Sequence, residues 1–465
     1  MSLIGTAAHP LRVAIIGAGP AGFYTAERLF KETGLVIEVD LYDRLPTPYG
    51  LVRNGVAPDH QKIKSVTAAF DRIAANPRFR FFGNVEIGRD LTVEELKNYY
   101  HQIVYSVGAQ TDRPLDIPGD DLIGSYPATE FVAWYNGHPD FCDLQFDLSK
   151  ERVAIVGVGN VAVDVARILC RTRDELMKTD IADYALEALS NSKVKEVYIL
   201  GRRGPAQAAF TAPEAKELGE LEDCDTIVTP EEAELDPLSL ASMAEASRPD
   251  VRKVEIIQEL STHQPAGKSK RLYLRFLVSP TELVGDENGH VKQMKIVQNE
   301  LYATDAGSLR SRATDRMETL DVDLVFRSIG YRGVPLPGVP FHERWGIIPN
   351  NDGRVLDSKS EEPLVGQYTA GWIKRGPTGV IGTNRPDATE TAENMLADAR
   401  EGHTLNPDHA TAGEILALVG ERQPHYITFE DWKTLDEIEV SRGKEQGRPR
   451  VKFTNVEDML AALNK

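Results

Sequence analysis

Residues 12–22 read RVAIIGAGPAG, and this stretch decides the fold. The apolar run Val13, Ala14, Ile15, Ile16 stops at Gly17, and Gly19 and Gly22 complete a G-x-G-x-x-G pattern where a buried strand hands over to a helix. Gly17 permits the tight turn, Gly19 lets a pyrophosphate approach the backbone, and Gly22 allows close helix–strand packing. Pro20 suits a first helical turn, where its missing N–H costs nothing. The helix that follows offers unpaired N–H groups and a positive dipole end to phosphates. Alone, the pattern is no more than a tight turn. Its context makes it a dinucleotide cradle: a second strand, residues 37–42, ends in Asp43, about where a carboxylate accepts hydrogen bonds from ribose hydroxyls.

The pattern occurs twice. Residues 152–164, RVAIVGVGNVAVD, place a strand before Gly157-x-Gly159-x-x-Ala162, with alanine at the permitted third position. Two such turns in one chain are far more specific than one. The next strand ends in Gly201-Arg202-Arg203-Gly204. The acid expected of an NAD site is absent, and two guanidiniums stand where the 2′-phosphate of NADP would be held. The first cradle therefore suits a dinucleotide with a free ribose and the second suits NADP(H). A protein with both suits hydride transfer between flavin and nicotinamide, the cofactors supplying the chemistry.

Between the cradles, residues 44–58 read as a loop, with helical spacing from Ile63 to Ile73. Asp59 and His60 are the first titratable pair of interest, against a helix N-cap as the bland alternative. A strand is expected over Phe79 to Ile87, then the capping box Thr92-x-x-Glu95. Beyond the second cradle, 213–250 reads as exposed acidic helices containing Glu214. Lys268, Lys270, Arg271 and Arg275 form a basic cluster fit for an acidic partner or a solvated hairpin. Val322 to Gly330 reads as the strand carrying the chain back to the first sheet. In Tyr368 to Asn384, YTAGWIKRGPTGVIGTN, glycines again precede a helix, and Trp372 offers a flat face. Residues 403–465 read as an appended segment without arguable chemistry.

The chain has 465 residues, room for two or three domains, and ordinary globular composition: 41% hydrophobic and 27% charged. Its net charge of −18 argues against a general nucleic-acid binder. The three cysteines, Cys142, Cys170 and Cys224, form no C-x-x-C, so neither a cysteine-held iron–sulfur cluster nor a CxxC redox disulfide is expected. No apolar run approaches the ~20 residues of a membrane span. The first residues lack the basic start and apolar core of a signal peptide, so a cytoplasmic location is expected.

These residues resemble the adrenodoxin reductase family of FAD-containing ferredoxin–NADP reductases, of the mitochondrial and actinobacterial type. The stretches that carry the resemblance are LPTPYGLVRNGVAPDH, GVGNVAVDVAR, GRRGPAQAAFT, RSIGYRGVP and GWIKRGPTGVIGTN. It implies an α/β fold of two Rossmann-like three-layer domains: a discontinuous FAD domain, 1–112 and 332–465, and an inserted NADP domain, 113–331. It implies FAD contacts at Ala21, Asp43, Leu51, Ile87, Trp372, Gly379, Val380 and Ile381, besides the glycines Gly17, Gly19 and Gly22. It implies NADP contacts at Arg113, Val158, Gly159, Asn160, Val161, Arg202, Arg203, Glu214 and Gly379. His60 and Asp164 are implied near the flavin, with Asp59 beside His60 as the third catalytic candidate.

The implied reaction takes a hydride from NADPH to FAD and passes single electrons to a separate ferredoxin-type iron–sulfur protein. Ferredoxins are acidic, so Arg203, Lys268, Arg271, Lys374 and Arg375 are candidate docking cations, and docking should weaken with salt. A monomer or weak dimer is expected, with no membrane or nucleic-acid partner. The rivals are an electron-input subunit like the small subunit of glutamate synthase, an FAD monooxygenase, and a non-catalytic nucleotide-binding protein.

Overall fold

The apolar strand Leu11–Ile16 lies buried along its whole length in a seven-stranded sheet. The structure, a computed structural model, describes residues 4–465. The order across this sheet is Asn350–Asn351, Arg354–Leu356, Pro363–Thr369, Gln102–Tyr105, Leu11–Ile16, Ile37–Tyr42, Phe79–Phe82. The last five strands run parallel, and Val13 sits between Val39 and Gln102. Strands covered on both faces read as continuous apolar runs, which is why residues 13–16 are so legible. Ile37–Tyr42 alternates instead, yet its Asp40 is buried. Arg12 Nη2 (2.8 Å), Arg80 Nη2 (2.6 Å) and the Tyr100 hydroxyl (2.6 Å) donate to one of its oxygens, which makes burial of that charge tolerable. The strand expected over Phe79 to Ile87 ends at Phe82; Ile87 makes only an isolated bridge to Leu91.

Contacts divide the chain into two units. The first comprises the chain through Val56, His60–Thr111 and Tyr331–Lys465; the second comprises Ala57–Asp59 and Asp112–Gly330. In the first, helix Pro20–Phe30 packs its apolar face against helix Asn384–Glu401. Phe23 stacks on Phe70 at 4.8 Å, and Tyr49 meets Trp432 edge-on at 5.8 Å.

Residues 403–465 are not an appendage. They form helices Ala412–Arg422, Phe429–Glu445 and Val456–Ala462, and Trp432, Leu435, Phe453 and Met459 belong to the same core as the first cradle. Inside that core, Arg53 Nη1 donates to Glu439 Oε2 (2.8 Å), Arg450 Nη1 to the same oxygen (3.1 Å) and the Phe453 amide to Oε1 (2.8 Å). The segment looks chemically empty because the polar interactions of its buried face are structural.

The second unit is built on six parallel strands in the order Ser125–Pro127, Leu324–Arg327, Arg152–Val156, Glu196–Leu200, Lys270–Arg275, Cys224–Ile227. Leu324–Arg327 corrects one expectation: it pairs with Arg152–Val156 inside this sheet, and the first unit resumes only at Tyr331. Cys224–Ile227 corrects another, an edge strand inside a stretch read as wholly helical. Strands Val278–Gly285, Val291–Ala303 and Leu309–Asp321 form a separate antiparallel sheet.

Candidate functional site

In the first unit the turn after Leu11–Ile16 has the shape a pyrophosphate needs. Gly17 has φ +106°, and a Cβ there would stand 2.5 Å from the Ser106 carbonyl oxygen. A Cβ on Gly19 would meet nothing within 4 Å, so that face of the turn opens into free space beside the first helical amides. Gly22 has no such room, because the Gly17 carbonyl lies against it.

Asp43 closes the turn from below. Its Oδ2 accepts the Ala18 amide (2.8 Å) and its Oδ1 the Leu45 amide (2.9 Å). Burial pushes its carboxyl up, opposed by those two amides. Each oxygen keeps a lone-pair site, so the carboxylate still has capacity for ribose hydroxyls.

Tyr49, at φ +83°, sends its amide to the Ala18 carbonyl (2.8 Å) and its hydroxyl to Asp71. Leu51 opens the short helix Leu51–Asn54 directly after it.

The other wall of this cradle comes from far along the chain. Gly371 has φ +78°, and a Cβ there would lie 2.6 Å from that of Ala21. Its amide donates to Asp387 Oδ2 at 2.5 Å. Trp372 is fixed by its indole N–H on the Thr378 carbonyl (3.1 Å) and by Tyr331 at 5.3 Å. Gly379 and Val380 are exposed, Val380 by 53%, and Ile381 packs partly on the core. Ile87 is buried in the first unit's core.

In the second unit Gly157 (φ +131°) has the Ser328 carbonyl against it, while Gly159 opens into free space. The Val158 carbonyl accepts the Ala209 (2.8 Å) and Phe210 (3.0 Å) amides, and Asn160 Oδ1 accepts the Thr211 amide (3.1 Å). The segment after the arginines is thus folded back over the turn. Val161 rests on the core, and Arg113 is exposed.

Among the described residues neither the Arg202 nor the Arg203 guanidinium has a hydrogen-bond or ion-pair partner. Burial, and then the Arg202 charge, push the Arg203 pKa down, a penalty that an anion would relieve. Glu214 lies in the first turn of helix Ala212–Gly219, only 8% exposed, with Oε2 buried and unpaired. A buried acceptor without a donor is costly unless a ligand supplies one.

These observations fit the two groups the sequence implies. Each unit has an open glycine over helix amides, and the second adds an arginine pair that is unneutralised among the described residues.

His60 stands at the N-cap of Gln61–Lys64 and makes no side-chain capping bond. Asp59 is engaged elsewhere: its Oδ2 accepts Arg167 Nε and Arg171 Nε, both at 2.7 Å, and its Oδ1 accepts Arg167 Nη2 (3.0 Å). Asp164 Oδ1 accepts the same Nη2 at 2.7 Å.

The fully buried Arg167 side chain therefore joins Asp59 and Asp164. It was missed in the sequence, although its i, i+3 spacing from Asp164 on a helix was there to be read. Asp387 was missed too, an acid in a first helical turn that looks like a dipole partner.

Most of the candidate docking cations have partners within their own unit. Lys268 Nζ donates to the Leu221 carbonyl, Lys270 Nζ to the Leu169 carbonyl, Arg271 to Glu196, and Arg275 to Glu232 and Glu318. Lys374 is buried against Glu390 and Thr391, and Arg375 bonds Asn384. Of the five named for docking, Arg203 alone keeps an unpaired charge among the described residues. Adjacent cations in sequence were sent to separate partners by strand alternation and burial.

Residues 11–204 match the family model of the pyridine nucleotide-disulphide oxidoreductases. The chain is 44% identical over 459 residues to an NADPH-ferredoxin reductase FprA of Mycobacterium leprae, covering 97% of this chain and 98% of that one. It is 41% identical to the mitochondrial NADPH:adrenodoxin oxidoreductase of Bos taurus, covering 97% and 92%. The solved structure of Mycobacterium tuberculosis FprA in complex with NADPH superposes with a TM-score of 0.91 at 43% identity, over 98% of this chain and 100% of that one.

Proposed function

The chain belongs to the adrenodoxin reductase-type family of FAD-containing ferredoxin–NADP reductases, and from that premise we propose how its own residues serve the reaction. It is an FAD-dependent oxidoreductase that takes electrons from NADPH and passes them to a ferredoxin-type partner. The flavin, when bound, supplies the conversion of a two-electron hydride donation into single-electron output.

The first unit holds the flavin nucleotide. Gly17 makes the turn, its own amide spent on the Tyr42 carbonyl (2.8 Å). Gly19, Ala21 and Gly22 present amides to its pyrophosphate, Asp43 accepts its ribose hydroxyls, and Leu51, Ile87, Trp372, Gly379, Val380 and Ile381 bound the rest. The amides at 379–381 stabilise negative charge on a reduced ring.

The second unit holds NADPH. Val158, Gly159, Asn160 and Val161 line its pyrophosphate, Arg202 and Arg203 grip the 2′-phosphate with Arg113 adding charge, and Glu214 accepts from a hydroxyl or amide. His60 and Asp164 serve the nicotinamide–flavin end. Asp59 acts through Arg167, which it shares with Asp164, and is a positioning residue rather than a proton donor.

The observation that carries this reading is the arginine pair without a partner, in a chain of net charge −18. So many carboxylates leave few cations unclaimed, and a doubly charged phosphate monoester matches a guanidinium fork. The acceptor is a separate iron–sulfur protein of ferredoxin or adrenodoxin type. We place the enzyme in the cytoplasm as a monomer or weak dimer without membrane or nucleic-acid partners. Among the described residues no helix is long and apolar enough to cross a membrane, and the net negative charge repels polyanions.

Steady-state kinetics test the reading. Arg202→Ala and Arg203→Ala should each raise the KM for NADPH about tenfold or more while leaving NADH little changed. Equal losses with the two nucleotides would contradict it.

A further inference from the structure

The loop that carries the arginine pair is held at both carbonyls, by Asn299 of the antiparallel sheet and by Leu277 just before that sheet's first strand. Asn299 is 5% exposed and sits in strand Val291–Ala303 where the pairing register slips between Val297 and Asn299. Its Nδ2 donates to the Arg202 carbonyl (3.0 Å) and to Ser279 Oγ (2.8 Å). A carbonyl acceptor needs the amide nitrogen, so the orientation of this side chain follows from its partner. The Asn299 backbone amide donates to the Leu277 carbonyl at 2.6 Å, and the Leu277 amide donates to the Arg203 carbonyl at 3.1 Å. Val278 completes the attachment through the Gly201 carbonyl at 3.0 Å.

Leu277 has φ +53°, a left-handed conformation that a branched side chain adopts only where its neighbours enforce it. The register slip and the strained leucine have one consequence in common: both turn polar groups of the sheet toward residues 201–203.

We propose that Asn299 is a positioning residue for nucleotide choice, its side-chain amide fixing the backbone of Arg202 so that the two guanidiniums are presented together to a 2′-phosphate. The inference rests on the assignment of Arg202 and Arg203 to that phosphate. An arginine pair on an unheld loop would lose backbone and side-chain freedom on binding, and the clamp removes part of that cost beforehand. Asn299 makes no claim on the adenine or the nicotinamide, so its effect belongs to the 2′-phosphate alone.

The test uses the flavin-loaded full chain and two probes measured by calorimetry, 2′,5′-ADP and 5′-AMP. Asn299→Leu should weaken 2′,5′-ADP by about fivefold to tenfold and leave 5′-AMP unchanged. Asn299→Gln, which keeps a donor, should recover part of the loss. In an Arg202→Ala background, Asn299→Leu should add little, because the group it positions is gone. If the leucine variant does not fold, Asn299→Ala takes its place with the same expectation. Equal weakening of both probes, no weakening, or full additivity with Arg202→Ala would overturn the inference and leave the arginine assignment standing. Should Arg202→Ala itself fail to distinguish the probes, the assignment falls and the inference falls with it.

Discussion

Gly17 and Gly19 stand two positions apart and have different duties. A side chain at Gly17 collides with the Ser106 carbonyl in a left-handed conformation, whereas a Cβ at Gly19 meets open space. Gly17→Ala should therefore cost the fold. Gly19→Ala should leave the melting of the apoprotein within about 0.5 kcal/mol of its parent while flavin retention is lost, since the only thing it obstructs is a ligand. Equal melting losses in both would refute the distinction.

His101 gives a second prediction at this scale. Its Nδ1 accepts the Arg12 amide at 3.0 Å, and burial, then the Arg12 charge, pushes its pKa down to about 4. The unfolded chain protonates it near 6.5, so folding stability should fall as pH drops from about 6.5 to about 4, by roughly 3 kcal/mol. Urea unfolding followed by flavin release should show that slope, and His101→Gln should flatten it. An unchanged slope would contradict the assignment.

At the scale of elements, helix Phe429–Glu445 ties the end of the chain to the loop beneath the flavin cradle. Trp432 donates its indole N–H to the Tyr49 hydroxyl (3.3 Å), and Glu439 binds Arg53 in the helix that begins at Leu51. Burial opposes ionisation of Glu439 most strongly, but Arg53, then Arg450 and the Phe453 amide, outweigh it and hold the carboxyl below its ordinary range. Its contribution is then present above about pH 4.3 and lost as pH falls further.

Glu439→Gln takes the charge partner from the buried Arg53 guanidinium, while Arg450 keeps Asp436. It should cost about 3–5 kcal/mol in the first unit, read as earlier flavin release on heating. A loss below the error of the measurement would make the helix incidental. Nothing in residues 403–465 announced this, because a glutamate on the buried side of a helix reads as solvent-facing until the partner that holds it, Arg53, arrives from far back in the chain. The two glycine turns were legible for the opposite reason. Their signal is local, and the strand, turn and helix that give it are contiguous.

For the whole molecule, the same contrast sets what the sequence could and could not convey. The doubled turn and the arginines in place of an acid led to two dinucleotide sites and to hydride transfer between flavin and nicotinamide without coordinates; the ferredoxin-type acceptor came from the family resemblance. The basic cluster at 268–275 stayed open between an acidic partner and a solvated hairpin, because sequence proximity says nothing about which group each cation will meet. Asn299 was invisible, since it matters only through a partner remote in the chain, and Arg167 was half legible: Asp164 lies three residues before it on its own helix, but Asp59 comes from far away in the chain.

The central claim is that this chain routes electrons from NADPH through flavin to a ferredoxin-type protein. The most direct test is reduction of cytochrome c by the flavin-loaded chain, with NADPH or NADH, in the presence and absence of added ferredoxin. The account predicts fast reduction that requires ferredoxin and prefers NADPH. Reduction at the same rate without ferredoxin, or with NADH in place of NADPH, would contradict it.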